Sequence, residues 1–327
     1  MEYQDRIFGE CNIEEPVIVE LIGSPALQRL RKIDQMGYQE PYFPGSAHSR
    51  FEHSVGVFLW LKRHGSSIEE QIAGLIHDVS HGAFSHCLDY VLAQGAEQHQ
   101  RYQDDILADF VKKSEIAGIV KRYGLDLNYI LDENHFPLKE RPLPDLCADR
   151  IDYSIRDALC ASELDRDGLQ EILDNLVVEG NQWVFRHSQA AQEYARLFSK
   201  LNEVYYSGLI SAVMFKTVGD YLLYALQKDY IIPEDLFTTD EEVLTKINQH
   251  LFSDTSLQLL FDRMNNRVAF RNDPNNFDVE LVCKSRSVDP WCYYQGKLQK
   301  VSDVNKEWGI ILAHELKPKH YFLKFDK

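Results

Sequence analysis

The sequence contains no CxxC pair, and its six cysteines (Cys11, Cys87, Cys147, Cys160, Cys283 and Cys292) are scattered. That spacing excludes a zinc-finger cage and a disulfide frame, and it fits a reducing compartment. Long apolar runs are missing as well, since no stretch approaches the roughly 18 residues of a membrane helix. The opening MEYQDRIFGE has neither the basic nor the apolar region of a signal peptide, so the expected location is the cytoplasm. Internal repeats and low-complexity segments are absent. Positive charge is scarce, with 35 Lys and Arg against 51 Asp and Glu and a formal net charge of -16. Such a chain repels a polyanion, which excludes a long nucleic-acid footprint. A small phosphorylated ligand needs only a few local cations and stays allowed.

What is present is histidine. Seven of the twelve (His48, His53, His64, His77, His81, His86 and His99) fall in one short region around HSRFEHSVG and AGLIHDVSHGAFSH. Helical signals surround them. Ser67 offers an N-cap with Glu70 three residues on, and Ile68, Ile72, Leu75 and Ile76 follow helical spacing, so His77 and Asp78 close a buried helix. After a break at Ser80 to Gly82, Phe84, Leu88, Val91 and Leu92 mark the next helix, which sets His86 and Asp89 on one face. In LPDLCADRIDYSIRDALC, Ile151, Ile155 and Leu159 make an apolar stripe, while Asp149, Tyr153 and Asp157 recur every fourth residue along another side. Helix is also expected from about Ala190 to Gln227, and LFTTDEEVLTKINQHLF reads as a helix pair. VELVCKSRSV, WGIILAHEL and HYFLKF read as strands. The expected fold is mainly α, with a helical core over residues 1–233 and a smaller C-terminal α+β region over 234–327.

The pairing of His77 with Asp78 has a chemical use. Neighbours at a helix end point about 100° apart, so an imidazole and a carboxylate can take two positions around one ion beside the terminus. His53, one turn after Arg50, can supply a third ligand and Asp149 a fourth. Two histidines with two carboxylates suit Mn, Fe, Co, Ni or Mg with open positions better than a closed structural zinc.

Together HSRFEHSVG, AGLIHDVSHGAFSH and ADRIDYSIRD, preceded by SPALQRLRKIDQMG and YFPGSAHSR, resemble the HD-domain superfamily of metal-dependent phosphohydrolases, on the branch of deoxynucleoside triphosphate triphosphohydrolases. The likeness implies a divalent metal held by His53, His77, Asp78 and Asp149. It further implies that Arg50 and Arg150 contact phosphate, that His81, His86 and His99 line the scissile group, and that His86 donates a proton with Asp89 orienting it. A carboxylate placed three residues on would fix the tautomer of His86 and raise its pKa. Tyr153 and Asp157 match residues that hold the sugar, and Gln35 and Met36 match positions near the base. Tyr205 keeps an aromatic of the triphosphate grip, but Ser207 and Gly208 stand at its two basic positions, with Arg196 and Lys200 upstream as replacements. Gln100 stands where the family often has glutamate.

The expected activity is hydrolysis of a phosphate bond in a nucleotide, most nearly that of a deoxynucleoside triphosphate triphosphohydrolase. A stepwise nucleotidase, a phosphodiesterase and a non-catalytic nucleotide binder are the alternatives. The expected partner is a small-molecule nucleotide rather than extended nucleic acid or a membrane, and a homo-oligomer is allowed.

Overall fold

The computed structural model describes residues 1–92 and 102–326. Its centre is the helix Arg50–Arg63 (α1), started by Ser49, whose hydroxyl accepts from the Glu52 amide at 3.2 Å. Every residue from His53 to Leu61 is buried, so α1 is enclosed on all sides. Each large apolar side chain it buries, such as Phe58 or Trp60, contributes roughly 1.5–3 kcal/mol. Ile68–Ile76 (α2) packs along it, capped by Ser67 through the Glu70 amide at 3.2 Å, and ends at His77.

Ala148–Cys160 (α3) crosses α1 at Gly56. A Cβ there would overlap the Asp152 carboxylate and the Arg156 guanidinium, so only glycine allows this approach. Ser188–Leu201 (α4) and Leu209–Gln227 (α5) complete the core, separated by a π-helical turn, Asn202–Tyr206. Among the described residues, Ser188–Gln227 is the one helical stretch long and apolar enough to span a membrane, and 61% of its apolar window is buried inside the fold. That burial assigns it to the protein core.

The strands are short. An N-terminal hairpin pairs Glu2–Asp5 (β1) with Gly9–Asn12 (β2). Leu176–Glu179 (β3) and Gln182–Phe185 (β4) form a second hairpin, to which Trp291–Tyr294 (β7) adds in parallel through Val184 and Trp291, followed by Lys297–Lys300 (β8). Phe270–Asn272 (β5) and Val279–Cys283 (β6) flank Lys319–Phe325 (β9) in a third sheet. The extended chain from Lys284 to Pro290 therefore links two sheets, and residues beyond 233 share one of them with the helical part.

Three expectations change. WGIILAHEL is helical within Lys306–Glu315, because Asn305 accepts from the amides of Glu307 and Trp308 and starts a helix there. LFTTDEEVLTKINQHLF holds one helix, Asp240–Asn248, after a 3-10 turn, and the second helix begins later at Thr255. Phe84 has a left-handed backbone (φ 60°), so the helical turn after the break starts at Ser85.

Candidate active site

The C-terminal end of α2, the first turns of α1 and the first turn of α3 converge. His53 Nε2 lies 2.9 Å from Asp149 Oδ1, and His77 Nε2 lies 3.4 Å from the same oxygen. Asp78 places Oδ1 3.4 Å from His77 Nε2 and Oδ2 3.8 Å from His53 Nε2. All four residues expected at a metal thus come together.

The donor set fits a divalent cation on three grounds. The ligating atoms of His53, His77 and Asp149 all lie within 4.8 Å of one another. His77 donates from Nδ1 to the Gly74 carbonyl at 2.7 Å, which aims the buried Nε2 into the cluster without a direct hydrogen bond, and although burial opposes charge on this ring, Asp78 and Asp149 raise its pKa. His53 Nδ1 is held by Asp152 at 2.8 Å, so its Nε2 is aimed into the cluster as well. Burial opposes charge on His53, but hydrogen bonds to Asp149 and Asp152 outweigh it and lift the ring to about 10. A proton between His53 and Asp149 stands where a cation would neutralise the carboxylates. Asp149 and Asp78 both resist burial and stay well below the usual carboxylate range, Asp149 through the two imidazoles and Asp78 chiefly through Arg50.

Arg50 is buried, and its three nitrogens donate to Asp78 Oδ2 (2.6 Å), the Gln35 carbonyl (2.8 Å) and Ser85 Oγ (2.7 Å). It locks the Gln35 loop and the Ser85 turn onto the cluster. Arg150 is also committed: its Nη1 donates to the carbonyl of Asp145 at 2.6 Å and its Nη2 to that of Arg141 at 3.2 Å, while its buried Nε has no partner. Both arginines line a cavity of about 780 Å3 together with the four cluster residues, His81 and His86.

His86 Nδ1 sits 3.1 Å from Asp89 Oδ2, as the three-residue spacing implied. Its pKa departs from expectation: burial lowers it, and the rise due to Asp89 does not make up the difference. His81 is pushed further down by burial and by Arg50. The two rings meet edge to face with centroids 5.2 Å apart. His99 and Gln100 lie outside the described residues.

A smaller recess of about 70 Å3 opens beside the cluster, lined by Gln35, Met36, His86, Tyr153, Asp157 and Tyr206 among others. Asp157 is oriented from both sides, by His48 Nε2 at 2.8 Å and by the Tyr206 hydroxyl at 2.8 Å. Tyr205 is displaced from the site; its hydroxyl donates to Glu163 at 3.4 Å and its ring packs on Phe43. The wide π turn of Asn202–Tyr206 inserts a residue into the helical register and turns Tyr206 inward instead. Lys200 pairs with Glu163, and neither it nor Arg196 lines the described cavities.

Sequence reasoning passed over His48, Asp152, Tyr206, Lys284 and Arg286. Asp152 was signalled by its place three residues after Asp149. Lys284 and Arg286, which line the larger cavity, lie too far along the chain for any spacing rule.

The HD domain family model matches residues 50–157, the span from the start of α1 through α2 and most of α3. The chain is 33% identical over 312 residues to the uncharacterized protein YdhJ of Bacillus subtilis, covering 94% of this chain and 93% of that protein. It is 29% identical over 317 residues to the metal-dependent phosphohydrolase cns2 of Cordyceps militaris, covering 94% of this chain and 89% of that protein. A shorter match, 33% identical over 155 residues, joins 40% of this chain to 23% of the deoxynucleoside triphosphate triphosphohydrolase SAMHD1 of Mus musculus.

Proposed function

Because the chain belongs to the HD domain family of metal-dependent phosphohydrolases, we propose that it hydrolyses a phosphate bond in a nucleotide, with a deoxynucleoside triphosphate as the first substrate to test. The observation that carries this reading is the adjacency of the two sites. The recess holding Tyr153 and Asp157 shares Gln35, His86, Tyr153 and Arg286 with the cavity of the His53, His77, Asp78 and Asp149 cluster. A sugar against Tyr153 and Asp157 brings its phosphate to the cluster. The partial match to a named deoxynucleoside triphosphate triphosphohydrolase supports the choice of nucleotide.

His53, His77, Asp78 and Asp149 would hold the divalent ion; their mixed nitrogen and oxygen donors suit Mn, Fe, Co, Ni or Mg. When bound, the ion supplies Lewis acidity toward a phosphoryl oxygen and toward water. The chain supplies the rest. Asp152 and the Gly74 carbonyl fix the tautomers of His53 and His77. Arg50 fixes Asp78 and adds positive charge near the phosphate. His86, held by Asp89, would deliver a proton to the leaving oxygen once the charge of an incoming phosphate protonates the ring by offsetting the burial that lowers its pKa, with His81 against it.

A second reading, stepwise removal of phosphates by a nucleotidase, is favoured by one observation: Ser207 and Gly208 bear no charge and Lys200 is taken by Glu163. One assay separates the two. Purified protein incubated with Mn2+ and a panel of nucleotides is expected to release triphosphate from a deoxynucleoside triphosphate. Orthophosphate in successive steps would establish the second reading, and no release from any nucleotide would overturn both.

A further inference from the structure

The positions that lack cations in α5's approach are structurally unable to carry them. Ser207 is fully buried, donates its hydroxyl to the Asn202 carbonyl at 2.8 Å, and accepts Tyr321 Oη on its own carbonyl at 2.8 Å. A Cβ at Gly208 would lie 2.6 Å from the carbonyl oxygens of both Glu203 and Val204. A lysine at either place would force the π turn to rebuild.

The C-terminal region brings two cations to the same cavity from another direction. Beyond the last paired residue of β6 the chain stays extended and keeps a period of two. Leu281, Cys283, Ser285 and Ser287 are buried, whereas Lys284 and Arg286 are half-buried and share the opposite side. Lys284 lines the large cavity, and Arg286 lines both that cavity and the small recess. The segment is anchored on the π turn itself. Asn202, fully buried, donates to Ser285 Oγ at 2.9 Å and accepts the Arg286 amide on Oδ1 at 2.8 Å, while Ser285 Oγ donates to the Glu315 carbonyl at 2.5 Å. This anchoring presents the two basic side chains from a fixed backbone, which reduces the entropy lost when they grip a ligand.

We propose that Lys284 and Arg286 form the grip for the phosphates beyond the one held at the His-Asp cluster, making the C-terminal segment the determinant that favours polyphosphorylated substrates. This assignment rests on the phosphohydrolase reading and names its substrate class more narrowly. Burial and the neighbouring Arg286 push Lys284 down to about 8, with Asp104 offsetting part of that push. Crowded cations of this kind gain when a polyanion enters. Arg286 also contributes to holding His86 down, which places its charge near the expected proton donor.

The test uses Lys284→Gln and Arg286→Gln in the full chain, with Lys284→Arg and Arg286→Lys as charge-conserving partners. Calorimetry with inorganic tripolyphosphate is the first readout. Each glutamine variant is expected to bind it about 10-fold more weakly and each conservative variant within about 3-fold of the parent. The second readout is kcat/KM for the mono- and triphosphate of one deoxynucleoside. The triphosphate to monophosphate ratio should fall about 10-fold in the glutamine variants. Unchanged tripolyphosphate affinity, or equal losses on both substrates, would overturn the assignment. If the parent hydrolyses no nucleotide, the functional reading fails on its own while tripolyphosphate binding still decides the grip.

Discussion

His53 and Asp152 form the buried contact on which the orientation of the cluster depends. Nδ1 of the ring lies 2.8 Å from Oδ2 of the carboxylate, and Asp152 is bound in turn by Arg156, which also reaches Asp5 of the N-terminal hairpin at 3.1 Å. All four residues are buried. The carboxylate resists its own burial chiefly through Arg156 and stays below the usual range, so it remains a full negative charge behind the imidazole. The glycine at position 56 permits the arrangement, because any side chain there would occupy the place of the Asp152 carboxylate.

Asp152→Asn tests that positioning role. The amide keeps the shape but removes the charge that fixes the His53 tautomer. Metal affinity is expected to drop about 10- to 100-fold. Competition with a chromophoric chelator measures it, and affinity equal to the parent would rule the role out.

His77→Ala and Asp78→Ala are each expected to remove most bound metal while far-ultraviolet circular dichroism stays helical. Asp78→Ala also leaves Arg50 without its carboxylate, so it should cost more stability, about 3–5 kcal/mol by the usual effect of breaking a buried pair. Elemental analysis and thermal melts check both statements. Full occupancy in the two variants would discard the site.

The pH dependence of metal uptake follows from His53. With no cation its ring holds a proton up to about 10, against an ordinary value of 6.5. A metal must displace that proton, so affinity is expected to rise about tenfold per pH unit between roughly pH 7 and 8.5. Proton release measured in two buffers of different ionisation enthalpy is the check; a flat profile contradicts it. In the metal-free protein the sign for stability is opposite. The raised pKa contributes stability that is fully present below 6.5 and is lost as pH climbs through about 10.

Much of this site was legible because its signals are local. Ser67 and Glu70 announced the helix that ends at His77, the three-residue step from His86 announced Asp89, and the four-residue step from Asp149 announced Tyr153 and Asp157. Local rules failed where a distant contact or an irregular turn decided the outcome. WGIILAHEL has the β-branched character of a strand, but Asn305 outside the segment starts a helix. Arg50 and Arg150 were assigned to phosphate by the family resemblance, and their geometry commits them first to Asp78 and to backbone carbonyls. Lys284 and Arg286 reach the cavity through contacts distant in sequence, the pairing of β6 on β9, that of β7 on β4 and the anchor at Asn202.

His86→Ala is expected to keep its metal and lose at least about 10²-fold in kcat. Asp89→Asn should lose less, since Asp89 acts through the ring at 3.1 Å and does not line the described cavities. Turnover within a few-fold of the parent at unchanged metal content would reduce His86 to a packing residue.

The exchange of Tyr205 for Tyr206 gives the sharpest test of the π turn. Tyr206 donates to Asp157 at 2.8 Å and lines the recess, whereas Tyr205 faces Glu163 and Phe43 outside it. Tyr206→Phe removes one hydroxyl that holds Asp157 in place and leaves His48 as its remaining support. A hydrogen bond to a charged group contributes about 1.5–3 kcal/mol, which corresponds to roughly a 10- to 100-fold loss in kcat/KM if Asp157 must be oriented to receive the sugar. The loss should fall mainly on KM, because Tyr206 touches neither the metal cluster nor His86 by a hydrogen bond. Tyr205→Phe, by contrast, should stay within about 2-fold of the parent, as expected for a long contact at the rim. Steady-state kinetics on one deoxynucleoside triphosphate compares the two variants directly. A larger effect at Tyr205 than at Tyr206 would mean that the regular helical register, rather than the π turn, describes the working enzyme.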